Sequence, residues 1–161
     1  MTETVMEMDM AAPVEVPKEG KVRVNYTLKP RGDGEKWLLR DAHGNDADIL
    51  RLKFLGVKEG GPQASGKAVL VVQLVDTDLV FADKQMTEDD KYDGMEICGE
   101  CHGGSTGIKR VEKVCGRPQT LKIRIKAPSQ ETCGFSFKWA AQDPCGQLVL
   151  SADPDAELDP L

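Results

Sequence analysis

The sequence predicts an all-β protein, an antiparallel β-sandwich of Ig-like or Greek-key type, and three observations carry that expectation. Apolar and polar residues alternate in segment after segment, the period of a half-buried strand. Clusters of Gly, Pro, Asp and Asn separate those segments at the spacing usual in sandwiches and barrels. No strong amphipathic helix is evident; the best candidate is 106–116, where Ile108, Val111 and Val114 recur three apart.

The elements follow in chain order. Residues 1–19 read as a flexible arm, acidic and without periodicity; the alternating Met6, Met8 and Met10 would suit at most a short added strand. One domain is expected over 20–161. In "KVRVNYTLK", Val22, Val24, Tyr26 and Leu28 fall on one side and charged or polar residues on the other. The turn stretch "PRGDGE" closes it. "KWLLRDA" forms a second short strand, ended by "HGNDAD", and "ILRLKF" alternates through Leu50, Leu52 and Phe54. "KAVLVVQLV" is the longest apolar run and predicts a central strand buried on both faces, which "LVFA" would extend after "DTD". Residues 83–107 break the pattern, with many acids, five glycines and few β-branched residues. They predict a long loop inserted in the frame, and such loops commonly carry function. "TLKIRIK" then turns Leu121, Ile123 and Ile125 inward and Lys122, Arg124 and Lys126 outward. "GFSFKWAAQ" and "QLVL" form a hairpin about the turn "DPCG".

The closing stretch "GFSFKWAAQDPCGQLVLSADPDAEL" resembles the final hairpin of the DP-EP family, small bacterial β-sandwich proteins whose last strand runs into Asp-Pro, here Asp153-Pro154. "VVQLVDTDLVFA" is similar to an earlier strand of that family. The resemblance spans about a third of the chain. It implies a β-sandwich and no particular activity, and the cysteine-rich segment departs from it.

Chemistry concentrates in "MEICGECHGG". Cys98, Cys101 and His102 spell the C-x-x-C-H of covalent haem attachment, with His102 as proximal iron ligand and Met86, Met95 or His43 as distal candidates. That chemistry needs export, and the acidic N-terminus has neither a basic n-region nor an apolar h-region. The same thiols form half of a zinc site, since thiolates three apart on a tight turn can share one ion. Cys115 would be the third ligand, and His102, Cys133 or Cys145 the fourth. A redox pair is opposed by Glu96 and Glu100, which disfavour the thiolate. The plain alternative is a set of reduced cysteines in a solvated loop, with no cofactor.

Two charged sets stand out. Asp89, Asp90 and Asp93 lie in the insertion, and Lys122, Arg124 and Lys126 lie on one strand face within a basic run from Lys109 to Lys126. Both are candidates for binding a protein partner or a larger assembly. A net charge of −6 and the lack of aromatics among the basic residues argue against nucleic acid. The acids of "DAHGNDAD" and "EDDKYDG" offer calcium-type oxygens, but the spacing fits no EF-hand, and turns favour Asp and Asn anyway. No segment reaches the ~18 apolar residues of a membrane helix, and with Met1 as the start a cytoplasmic location is expected. There is no P-loop, G-x-S-x-G or H-E-x-x-H, and two histidines leave little acid–base capacity near neutral pH. A non-enzymatic binding or accessory subunit is the leading expectation, with a zinc protein second and a haem protein third.

Overall fold

Alternation becomes two facing sheets. The computed structural model describes residues 14–17, 20–47, 49–54, 66–87, 91–97, 108–126, 133–152 and 155–160. Its strands are β1 (Val14–Val16), β2 (Lys21–Lys29), β3 (Leu38–Asp41), β4 (Ile49–Phe54), β5 (Lys67–Leu74), β6 (Val80–Phe81), β7 (Met95–Ile97), β8 (Ile108–Val114), β9 (Arg117–Lys126), β10 (Cys133–Gln142), β11 (Leu148–Leu150) and β12 (Asp155–Pro160). One sheet has the order β3-β2-β5-β9-β8. The other runs β1-β4-β12-β10-β11, and β6 and β7 also pair with β10. The result is sandwich-like and almost entirely β.

The core lies where the inner faces meet. β5 contributes Ala68, Leu70, Val72 and Leu74, and β9 contributes Leu121, Ile123 and Ile125. Opposite them stand Leu52 and Phe54 of β4, Phe81 of β6, Met95 of β7, and Phe137 and Trp139 of β10. The Phe137 and Trp139 rings meet edge to face at 5.0 Å between centroids, a geometry that adds to simple burial. Each such side chain contributes roughly 1.5–3 kcal/mol by leaving water. Ser151, itself buried, closes this region. Its Oγ accepts a hydrogen bond from Trp139 N at 2.9 Å and donates to Ala152 O at 2.8 Å.

Several expectations are corrected. The sheets are mixed: β2–β5, β1–β4 and β4–β12 are parallel. Side-chain alternation reports which face is buried and carries no information on strand direction. A parallel pair needs only a long crossover, and the chain between β2 and β5 supplies one. The described part of the stretch 106–116, from Ile108 on, is not helical. It forms β8, and its three-residue spacing arises from a β-bulge: Ile108 pairs with Ile125 and Arg110 with Arg124, so Lys109 is the extra residue. Ile108 and Val111 therefore face the same core three positions apart.

Within the stretch read as an arm, Val14–Val16 forms β1 beside β4, with Val16 fully buried, while residues 1–13 lie outside the described residues. "LVFA" does not prolong β5. Asp76, at φ 55°, turns the chain, and Val80–Phe81 crosses to pair with β10. The insertion is tied into the frame through its first half. A short 3-10 turn at Lys84–Met86 leads to β7, which pairs with β10, and Met95 and Glu96 are buried. After Asp153-Pro154, which lies outside the described residues, the acidic tail forms β12 between β4 and β10.

Candidate interaction surface

Acidic side chains in the loops mostly serve the backbone. Asp41 and Asp143 build two turns of one design. In each, Oδ1 accepts from the amides two and four residues on, His43 and Asn45 in the first and Cys145 and Gln147 in the second, all at 2.9 Å. A glycine at φ +83° or +84° completes each turn. Such Asx geometry is a standard reason for Asp in turns. It accounts for most of the acids once weighed as calcium ligands in 41–48, since Asp46 also pairs with Arg40 at 3.4 Å.

Two further acids guard sheet edges. Asp33 Oδ1 accepts from Leu150 N at 2.8 Å, and Leu150 O accepts from Gly34 N at 2.7 Å, covering β11. Asp93 covers β8. Its Oδ2 accepts from Lys113 N at 3.2 Å, its N–H donates to Val111 O, and its Oδ1 accepts from Lys84 N at 2.9 Å. Unpaired edges invite association with other chains. Asp93, predicted to bind a partner, thus has both carboxylate oxygens engaged by its own backbone. Asp89 and Asp90 lie outside the described residues.

Of the predicted metal ligands Cys98, Cys101, His102 and Cys115, only Cys115 lies among the described residues, and the other three lie outside them. Cys115 is an exposed free thiol in the β8–β9 turn, and Cys145 is an exposed free thiol in the β10–β11 turn. Among the described residues no three His, Cys, Asp or Glu side chains are grouped as a metal site requires. An open cleft of about 420 Å³ lies between Gln73, Val80 and the Gly116–Thr120 segment; Arg117 is its one ionisable lining group.

The basic set is brought together, and enlarged. The outward residues of the five-stranded sheet fall into rows set by the strand register. One row holds Lys21 of β2, Lys67 of β5 and Lys126 of β9, with Lys109 of β8 beside Lys126. The next holds Arg23, Val69, Arg124 and Arg110, and the third Asn25, Val71, Lys122 and Glu112. Among the described residues, eight Lys and Arg stand in these rows with one acid, Glu112. These rows therefore carry +7 while the whole chain carries −6.

Pairing within the face is sparse. Glu112 meets Arg110 at 3.4 Å between Oε2 and Nε. Among the described residues no carboxylate pairs with Lys122, Arg124 or Lys126. Arg124 Nε is buried without a hydrogen-bond partner. Lys109 is held below the usual lysine range by its hydrogen bond to Lys126 and by repulsion from that ammonium. Sequence reasoning found the β9 part of this face but missed Lys21, Arg23 and Lys67. Their outward positions were legible from alternation, but their adjacency depends on a parallel pairing that alternation does not encode.

The fold and this face define a class: an all-β, sandwich-like protein with one strongly basic sheet surface in a chain of net negative charge. No protein-family model matches the chain, and no curated protein matches it in sequence. Among the described residues no helix is long and apolar enough to cross a membrane.

Proposed function

We propose that the protein is a non-enzymatic binding or accessory subunit that docks a protein partner on the outer face of the five-stranded sheet, centred on Lys122, Arg124 and Lys126. The observation that carries this reading is the gathering of like charge, +7 over three rows of one sheet face in a chain whose net charge is −6. Like charges gathered on one surface, where Glu112 alone of the described acids offsets them, destabilise the free protein, and a complementary surface relieves them. The contact is assigned to this face rather than to 83–107, because the described half of that segment is committed to β7 and to the Asp93 edge guard. The DP-EP resemblance fits the frame and adds no activity.

The test compares native-source lysate captured on the full chain with capture on a K122E/K126E variant whose circular dichroism is unchanged. Proteins identified by mass spectrometry should co-purify with the wild type, be lost with the variant, and elute at about 1 M salt, where screening extends only about 3 Å. Identical protein sets on both baits would refute the proposal.

A further inference from the structure

We infer that the partner contributes a short extended acidic segment, with carboxylates on alternate residues, laid along β9. The inference rests on the docking role proposed above and specifies its chemistry. Two positions on the face are electrostatically unsatisfied, and they are neighbours. Arg124 has a buried Nε–H with no acceptor, a costly state for a charged donor. Lys126 crowds Lys109, and among the described residues no carboxylate pairs with Lys126. Glu112, the single acid in the rows described, already faces Arg110. Arg124 and Lys126 are two residues apart on one strand, so their side chains leave the sheet about 6.6–6.8 Å apart. An extended peptide repeats its side chains at the same interval on one face. Carboxylates at alternate positions of such a segment therefore match Arg124 and Lys126 in register, and a guanidinium is suited to a planar carboxylate. Val69, 4% exposed beside Arg124, provides an apolar floor that excludes water from the contact.

Size and composition select a peptide over a nucleic acid. The four strands span about 15 Å, at 4.7–4.9 Å per strand, so a long polyanion would run beyond the basic rows. The rows contain no aromatic side chain on which bases could stack.

Fluorescence anisotropy at low salt on the full chain provides the test, with fluorescein-labelled hexapeptides of equal charge: one alternating Glu and Ser, one with the glutamates contiguous. A labelled oligothymidylate serves as the polyanion control. The alternating peptide should bind most tightly. R124Q and, separately, K126Q should each weaken it about tenfold, the scale of one charge-assisted contact. R31Q, in an exposed loop off the face, should leave binding unchanged, and circular dichroism establishes that each variant is folded. Equal binding of the two peptides, tighter binding of the oligothymidylate, or R124Q and K126Q binding like wild type would each overturn the inference. So would self-association of the chain that K126Q abolishes, since the occupant would then be a second copy. If neither peptide binds while the lysate capture remains dependent on Lys122 and Lys126, this inference fails and the docking role stands.

Discussion

Replacing Gly94 with alanine should destabilise the protein by about 2–5 kcal/mol, for reasons that can be separated. Gly94 precedes β7 at φ +69°. A Cβ there costs roughly 1–2 kcal/mol in backbone strain alone. It would also stand 2.8 Å from Phe81 Cδ1 and 2.9 Å from Leu121 Cδ1. Both neighbours are fully buried, and overpacking of that kind costs roughly 1–3 kcal/mol. The backbone cannot retreat freely, because Gly94 N donates to Ala82 O and Gly94 O accepts from Ala140 N, each at 2.9 Å. Gly116 is the internal control. Its φ is +76°, but a Cβ there meets nothing within 4 Å, so G116A should show the strain alone. Urea unfolding followed by fluorescence of the two tryptophans, Trp37 and Trp139, both buried, measures the two variants side by side. G94A should lose about 1–3 kcal/mol more than G116A, with the slope of the transition unchanged. Equal losses would refute the packing argument and leave only the backbone term.

Two other outcomes are expected. Burial, aided by Asp41, raises the Tyr26 phenol from 10.0 to about 12. The unfolded chain gives up this proton near pH 10 while the folded protein keeps it, so the stability present below pH 10 is lost as pH rises towards 12, by at most about 3 kcal/mol. Urea midpoints against pH for wild type and Y26F should diverge across that window, and parallel curves would contradict the assignment. D93A strips the β8 edge of its guard and leaves the Lys84 and Lys113 amides without their acceptor, at about 1–3 kcal/mol. Light scattering should show concentration-dependent association that D93N, which keeps one carbonyl acceptor, largely avoids; a monodisperse D93A of unchanged stability would show that Asp93 guards nothing.

By itself the sequence determined faces. Alternation assigned the inward residues of β2, β4 and β9 because each side chain in an extended segment must point opposite to the one before it, whatever lies beyond the strand. Asp and Gly at fixed offsets likewise marked the 41–45 and 143–147 turns, whose hydrogen bonds close within five residues. Tertiary structure alone decided neighbours. β8 looked helical because a bulge, which exists only against β9, put Ile108 and Val111 in phase three apart. β12 had no apolar rhythm to announce it, yet it lies between β4 and β10. The basic surface belongs to the same class of fact: Lys21, Lys67 and Lys126 are far apart along the chain and adjacent across it. Their adjacency is set by long-range strand pairing, which depends on burial of both sheets together and leaves no local signal in any one segment.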